Sequence, residues 1–409
     1  MNNISAKPQT KSRSMTRLPF DVPLVLIIAA LLVIGLLMVY SSSWDASLIM
    51  EKPPTYIFTR QVLWVALGIA VAVGLSYFDY HKFEPFVAWL MLGVIAMLTA
   101  VVIRNSFQGI SSRSLLNNSV QPAEFAKLGI VLYLSFWLSK RKDLLHDKDI
   151  VFIPLVFILG LVAGLIVIQP DLSAAITVGA LVIMLFFLSG ADLKQTLILF
   201  LLVAIVGGGV IAISSTGQAR INDYLQGLQD PINSSYHVQR TYEAIIKGGF
   251  FGVGIGQADT KFTGLPLPHT DSIFAVIAEE TGLVGSFVVI ILYVLLMWRG
   301  VTIAKRAPDQ AGSLLAFGLI SWVVIEALMN FAVIVGLMPF TGNALPLISA
   351  GGSSMLTTMA AIGITMNVAR QGTAKEIAER SQTSAVVNLR GRDRWRSVSG
   401  TNRYGNPEE

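Results

Sequence analysis

Long apolar stretches without charge are the feature that most constrains this chain. Residues 22–42 contain no charged side chain, and comparable stretches recur along the first 370 residues. A bilayer core about 30 Å thick needs about 20 mostly apolar residues per helix. The composition agrees, because 54% of the residues are hydrophobic and only 13% are charged, whereas a soluble domain has about 25% charged residues. The sequence therefore predicts an all-α polytopic membrane protein and excludes a water-soluble enzyme.

A search with a window of this length predicts ten transmembrane helices. Their approximate bounds are 22–42, 58–78, 84–103, 124–139, 150–168, 172–189, 195–214, 271–298, 312–335 and 342–369. Lys and Arg are concentrated in the N-terminal tail and in the short loops on the same side as that tail. Because positively charged loops stay inside, both termini are predicted to be cytoplasmic. An even number of spans fits this orientation.

The remaining residues form two tails and one long loop. Residues 1–21 are predicted to be a cytoplasmic tail, 22–370 the membrane domain, and 371–409 a disordered basic cytoplasmic tail. The loop 215–270 is predicted to be extracytoplasmic and structured, because apolar residues recur at helical spacing before Gly248. The glycine-rich run 248–256 that follows lacks a Walker lysine and the Rossmann spacing. It indicates close backbone packing or a close approach to a ligand.

Ionisable residues at the predicted span ends need an explanation, because they are unfavourable in a membrane. Glu124 and Lys127 lie one helical turn apart and could form an intrahelical ion pair or line a cavity. Asp171 follows a proline and precedes a helix, which suits an N-cap. Asp271 could likewise cap a helix or act in catalysis. Glu279 is expected to lie within the membrane, where its carboxyl group needs a hydrogen-bonding partner or a water-filled cavity.

Basic residues on the predicted outer side could form a groove for a phosphorylated lipid, or could simply pair with nearby acids. The basic residues are Arg104, Arg113, Lys127, Arg220, Arg240, Lys247 and Lys261, and the acids are Asp223, Asp230, Glu243 and Asp259. The chain has no cysteine, and its four histidines lack metal-ligand spacing. No cofactor is identified and no dedicated metal site is predicted, although a divalent cation such as Mg²⁺ or Mn²⁺ could assist.

Four segments of the chain resemble the SEDS family (shape, elongation, division and sporulation proteins), which includes FtsW and RodA. The segments are Gln121-Pro122-Ala123-Glu124-Phe125-Ala126-Lys127-Leu128, Gln169-Pro170-Asp171-Leu172, the block from Leu265 to Glu280 that contains His269-Thr270-Asp271, and the block from Leu345 to Ser354. The resemblance covers roughly residues 22–370. The short spacing between residues 256 and 269 favours the FtsW type.

The resemblance implies an inverting peptidoglycan glycosyltransferase that polymerises lipid II at the outer face of the bacterial cytoplasmic membrane, during cell division for an FtsW type. Asp271 matches the essential acid of the family, whose proposed role is general base. The candidate substrate-binding residues of the outer cavity are Glu124, Lys127, Gln121, Asp171, His269, Glu279, Lys261 and Ser353. The implied partners are a class B penicillin-binding protein, other divisome proteins and membrane lipid. Nucleic acid is not expected.

The chain departs from the family pattern at several positions. The departures are residues 110–115, Ala123 in place of serine, Ser173-Ala174-Ala175 in place of Gly-Thr-Ala, and Ala350 in place of tyrosine. They favour either a polymerase with an altered substrate or partner, or a scaffold without catalytic activity that activates a penicillin-binding protein. The resemblance to the family leaves a further alternative open, a lipid II flippase. A flippase needs a polar path across the membrane, yet only Glu279, Glu280 and Glu326 lie deeper than the outer edge. The retained Asp271 favours the polymerase.

Overall fold

The structure, a computed structural model, describes residues 20–108, 112–115, 120–229 and 235–396, with side chains as far as residue 379. The predictions for residues 1–19 and 397–409, for loop positions 110–111 and for Asp230 lie outside this part of the chain. The described residues form thirteen α-helices. These are α1 (Val22–Ser42), α2 (Trp44–Ile49), α3 (Tyr56–Tyr77), α4 (Val87–Gln108), α5 (Pro122–Ser139), α6 (Ile153–Ile168), α7 (Leu172–Leu188), α8 (Leu193–Ile213), α9 (Ser215–Gln229), α10 (Tyr236–Gly248), α11 (Ile273–Lys305), α12 (Gln310–Ile334) and α13 (Gly352–Arg396).

Each of the ten predicted spans contains a helix. Within the described residues, seven helical stretches, which contain α1, α3, α4, α6, α8, α11 and α12, are long and apolar enough to cross a membrane. α7 is apolar but shorter, with 17 residues. The all-α class and the multi-pass character are therefore confirmed. The count of ten spans and the sidedness stay predictions.

α12 lies at the centre of the bundle. In its most apolar stretch 72% of the residues are buried inside the protein, against 11% for α8 at the periphery. α12 packs against α5, α7, α11 and α13. Four consecutive residues, Ser321 to Val324, are buried, and a helix that is buried on every side must be surrounded by other helices. Residues of α12 are thus well placed to form contacts with several elements at once.

α11 is broken at Gly282, where the backbone has φ 67° and ψ −165°. The break lies about 14 Å along the axis from the start of the helix, given a rise of 1.5 Å per residue. The segment 249–254 of the loop lies beside it and completes the hydrogen bonds that the break leaves open. The N–H groups of residues 283–284 donate to this segment, and the carbonyls of residues 279–280 accept from it, at 2.9–3.2 Å.

The loop between α8 and α11 contains the predicted helix, α10, which ends at Gly248 as expected. It also contains α9, which the sequence did not predict. A Cβ atom at Gly248, Gly252 or Gly282 would overlap backbone atoms of the facing segment. The predicted close backbone packing of the glycine-rich run is therefore confirmed.

The connection between α12 and α13 corrects the predicted span 342–369, because α13 begins only at Gly352. Pro346 lacks an N–H group and Leu347 has φ 68°, and both features oppose a helix. The hydroxyl of Tyr293 in α11 donates to the carbonyl of Pro346, which holds this connection inside the bundle. At its other end α13 continues to Arg396, so helix extends into the segment 371–409 that is predicted to be disordered. The domain boundary at residue 370 stays a prediction.

The contact at the α11 break can be tested with Gly252→Ala. The substitution places a methyl group against the carbonyl of Glu280 at a residue with φ 80°, and we expect a loss of about 3 kcal/mol or more in the free energy of unfolding. Gly256→Ala is the matched control, because Gly256 has φ 85° and no atom within 4 Å of the new methyl group. It should lose only about 1–2 kcal/mol. Thermal unfolding in detergent measures both, and equal losses would contradict the contact.

Candidate functional site

Asp271 lies in the irregular segment that leads into α11. The residue at the N-cap position of α11 is Ser272, and no side chain makes a capping hydrogen bond there. The interpretation of Asp271 as a cap is therefore wrong. Its side chain is partly buried, and a Cβ atom built on Gly342 would lie 3.4 Å from its Oδ2 atom and 3.8 Å from the guanidinium of Arg113. The carboxylate thus lies beside a cation in a narrow space.

Burial raises the pKa of Asp271 from 3.8 to about 6. Arg113 and Arg220 lower the pKa by favouring the carboxylate, while the negative charge of Asp171 raises it. Burial and repulsion from Arg113 also lower the pKa of Arg220, so the two arginines are near enough to repel one another. At neutral pH the site therefore holds an ionised carboxylate that is more basic than an exposed aspartate.

α12 fixes the backbone of Asp271 through an asparagine. The side-chain amide of Asn330 donates to the carbonyl of Asp271 at 2.9 Å and to that of Asn343 at 2.7 Å. Asn343 in turn donates to the carbonyl of Glu326, one turn earlier in α12, at 3.2 Å. The buried amide therefore joins the segment before α11 to the connection before α13.

Three further hydrogen bonds hold the segment around Asp271. The hydroxyl of Ser349 donates to the carbonyl of Thr270 at 2.7 Å, and the N–H of the next residue, Ala350, donates to His269 at 2.9 Å. A ring nitrogen of His237 in α10 lies 2.9 Å from the hydroxyl of Ser272.

His269 reaches the site through its backbone. Its Nδ1 atom is buried and has no hydrogen-bond partner in the described structure. Burial lowers its pKa, so the ring is neutral near pH 7.

A group of three hydrogen-bonded residues, Asp171, Gln121 and Ser353, lies beside Arg113. Asp171 caps α7 by accepting from a backbone N–H at 3.2 Å, so this interpretation is confirmed. Its other oxygen accepts from the amide of Gln121 at 3.0 Å. The N–H of Gln121 donates to the hydroxyl of Ser353 at 3.3 Å. The guanidinium of Arg113 lies 4.0 Å from Asp171, which links this group of residues to Asp271.

Lys127 forms a buried group of charges with two glutamates. Its ammonium lies 2.7 Å from Glu124, which confirms the intrahelical ion pair, and it also contacts Glu326 of α12. The side chain of Lys127 is only 1% exposed, and its ammonium lies 5.5 Å from the centre of the Trp322 ring. This position favours a role in holding α5 against α12. Direct contact of Glu124 or Lys127 with substrate stays a prediction.

The structure does not bring Lys261 or Glu279 to Asp271. Lys261 is buried and lies 2.7 Å from Glu280, 2.9 Å from the hydroxyl of Ser41 and 3.0 Å from a loop carbonyl. Glu279 accepts from the N–H groups of Asp259 and Thr260 and from the hydroxyl of Thr260. Both residues therefore attach the loop to α11. Glu279 has the hydrogen-bond partners that a carboxyl group within the membrane requires.

Of the basic residues predicted to line a groove, two arginines act on Asp271 by their charge. Arg240 and Lys247 pair with Glu243, and Lys127 and Lys261 lie in the buried pairs described above. Arg104 bonds to the side chain of Gln108 and to the carbonyl of Ser114. Arg113 donates to the carbonyl of Pro170 at 2.9 Å and Arg220 to that of Thr341 at 3.3 Å, and theirs are the guanidinium charges that act on Asp271.

Three features of the site were not predicted from the sequence. They are the position of Gly342 beside Asp271, the hydrogen bonds from Asn330 to the carbonyls of Asp271 and Asn343, and the effect of the Arg220 charge on Asp271. Asn330 is an amide within the predicted span 312–335, but its hydrogen-bond partners are 59 and 13 residues away in the sequence. No group of three or more His, Asp or Glu side chains in the described part of the chain could hold a metal ion. The expectation of assistance from Mg²⁺ or Mn²⁺ stays a prediction.

Comparison with known proteins identifies the family. The model of the FtsW/RodA/SpoVE family, described as cell cycle proteins, matches residues 22–374. The chain belongs to this family. It is 34% identical to the stage V sporulation protein E of Bacillus subtilis over 366 residues, which are 86% of this chain and 97% of that protein. It is 36% identical to the probable peptidoglycan glycosyltransferase FtsW of Thioalkalivibrio sulfidiphilus over 362 residues, 86% of this chain and 90% of that protein.

Solved structures of similar fold agree with this family. A chain of a peptidoglycan synthase complex, studied for its coordination of polymerization and crosslinking, matches with a TM-score of 0.68 and 26% identity over 86% of this chain and 98% of that one. The rod shape determining protein RodA of Thermus thermophilus matches with a TM-score of 0.61 and 24% identity over 87% of this chain and 98% of that one, which supports the fold.

The departures from the FtsW/RodA/SpoVE pattern lie close to the site. Ser173 donates its hydroxyl to Asp171 at 2.9 Å, and Ala350 bonds to His269 through its backbone, which any residue could do. Ala123 is 1% exposed in the first turn of α5. Arg113, within the divergent loop, provides a guanidinium next to Asp271. The divergent residues thus retain a charged and hydrogen-bonded site.

The buried charges can be tested with Lys127→Met. We expect this variant to lose about 3–5 kcal/mol in the free energy of unfolding, because Glu124 and Glu326 are left buried without a cation. The triple variant Glu124→Gln/Lys127→Met/Glu326→Gln should recover most of that loss, since no charge remains to be compensated. Thermal unfolding in detergent measures both. If the triple variant is no more stable than the single one, the ion pairs do not account for the effect.

Proposed function

We propose that this chain is a peptidoglycan glycosyltransferase that polymerises lipid II into glycan strands at the outer face of the bacterial cytoplasmic membrane. The observation that carries the proposal is the carboxylate of Asp271, partly buried, raised in pKa and flanked by Arg113 and Arg220. The names of relatives such as the FtsW of Thioalkalivibrio sulfidiphilus support it. A role in cell division follows from the FtsW type of the sequence.

Asp271 acts as the general base in this proposal. A base with a pKa of about 6 is ionised at neutral pH and accepts a proton more readily than an ordinary aspartate. It takes the proton from the acceptor hydroxyl as that oxygen attacks the anomeric carbon of the donor sugar, and the configuration inverts. The bond from the anomeric carbon to the diphosphate breaks in the same step.

Arg113 and Arg220 stabilise the departing diphosphate. A lipid diphosphate gains negative charge as it leaves, and guanidinium groups bind phosphate oxygens with two parallel hydrogen bonds. The low pKa of Arg220 relative to an ordinary arginine reflects burial and repulsion from Arg113, and an anion between the two would relieve that repulsion. The proposed substrate cavity is completed by Gln121, Asp171 and Ser353, which lie on the same side of the site as Arg113.

The proposed partner is a class B penicillin-binding protein, whose transpeptidase crosslinks the strand, within the divisome. The support is the similarity to a chain of a peptidoglycan synthase complex. The flippase alternative gains no support, because Glu279, Glu280 and Glu326 are buried with partners inside the protein. The scaffold alternative is decided by the first experiment below.

The first experiment incubates the purified chain, with and without a class B penicillin-binding protein, with labelled lipid II. Asp271→Asn should reduce polymerisation by at least about 100-fold, because the amide cannot accept the proton. Glu51→Gln, an exposed site remote in sequence, is the control and should behave as wild type. Glycan products are resolved on gels. Products from Asp271→Asn at the wild-type level would refute the role of Asp271, and no product from wild type with its partner would favour the scaffold.

The pH dependence provides an independent test. Because the base must be ionised, kcat/KM should rise with pH through a midpoint near 6 and then become constant. Arg113→Gln should move the midpoint to higher pH, since it removes a cation that favours the carboxylate. Arg240→Gln, which removes an arginine paired with Glu243, should leave the midpoint in place. A midpoint that does not respond to Arg113→Gln would contradict the assignment.

A further inference from the structure

A cavity of about 360 Å³ lies between α9, α10 and the turn that follows α12. Its size falls within the usual range of about 300–1,000 Å³ for small-molecule sites. The cavity is built from the long loop and from the residues after α12, and its lining residues belong to none of the segments on which the family resemblance rests, except Pro266. It is separate from the group formed by Gln121, Asp171 and Ser353.

The lining combines aromatic rings with a few polar groups. The rings are those of Tyr224, Tyr236, Tyr242 and Phe340, and the charged groups are Arg220 and Asp223. A sugar ring has an apolar face of C–H groups and an edge of hydroxyls, so aromatic rings and charged hydrogen-bonding groups suit its two parts. An acyl chain would not use the charges, and an anion would meet the carboxylate of Asp223 as well as the guanidinium of Arg220.

Hydrogen bonds hold two of the rings in place. The hydroxyl of Tyr224 donates to the carbonyl of Leu337 at 3.1 Å, and that of Tyr236 donates to Thr263 at 3.3 Å. Gly336, in the turn, has φ 75°, and a Cβ atom there would overlap the hydroxyl of Tyr242. A site whose rings are already ordered loses little side-chain entropy when a ligand binds.

Two lining residues connect the cavity to Asp271. Arg220 lines the cavity, donates to the carbonyl of Thr341 at 3.3 Å, and acts on Asp271 by its charge. His237 also lines the cavity and lies 2.9 Å from the hydroxyl of Ser272, the residue after Asp271. A ligand in the cavity would therefore lie next to the reacting groups.

We infer that this cavity binds one saccharide ring of the glycan substrate, next to the sugars that react at Asp271. The inference rests on the proposed function for the identity of the ligand. The aromatic rings contact the apolar face of the sugar, and the carboxylate of Asp223 accepts hydrogen bonds from its hydroxyl and amide groups. Such a site holds the strand in register while the bond forms at Asp271.

The test measures binding of tri-N-acetylchitotriose to the full chain in lipid nanodiscs by saturation-transfer NMR. The protein carries Asp271→Asn, so that binding is observed without reaction. Tyr242→Leu removes a ring and Asp223→Asn removes an exposed carboxylate without affecting packing. Each should raise the dissociation constant at least about fivefold. Asn222→Ala, exposed on α9 and outside the lining, is the matched control and should bind as the parent does.

Activity supplies a second readout. In the background with Asp271 intact, Asp223→Asn should raise KM for lipid II and shorten the glycan products while kcat changes less than about twofold. Absence of chitotriose binding, or binding that neither lining variant weakens, would overturn the saccharide site even if wild type polymerises lipid II. A different outcome would refute the proposed function alone. In that case wild type does not polymerise lipid II, although the parent protein binds chitotriose and the lining variants bind it more weakly.

Discussion

The break of α11 at Gly282 places unpaired backbone groups inside the membrane domain, and the arrangement of the loop follows from that constraint. Lipid offers no hydrogen bonds, so these groups must be satisfied by protein. The segment 249–254 supplies them, and Lys261 and Glu279 attach the rest of the loop to the same helix. The loop therefore cannot move freely relative to Asp271 at the head of α11.

Features set by neighbours in the sequence were predictable. The apolar stretches predicted the helices, the spacing of Glu124 and Lys127 predicted their ion pair, and the proline before Asp171 predicted a cap. Features set by distant residues were not. Nothing near Lys127 indicates Glu326 as a second partner, and hydropathy alone cannot distinguish the buried, irregular segment 342–351 from the start of a helix.

The candidate site shows the same division. Local residues left Asp271 equally suited to capping and to catalysis, and only the resemblance to a family favoured catalysis. The structure separates the two, because Asp271 makes no cap and its carboxylate is acted on by the charges of Arg113 and Arg220, which are 107 positions apart in the sequence. A charge group assembled from two separate loops has no periodicity or spacing that a single sequence could display.

The contact of Lys127 with Glu326 also bears on how the protein is made. The two residues are 199 positions apart, which corresponds to about 10–40 s of synthesis at roughly 5–20 residues per second. During that interval α5 has left the ribosome with Glu124 and Lys127 as its charged residues. Lys127 has only Glu124 as its partner in that interval, and the buried group of three charges is complete only once α12 has been made.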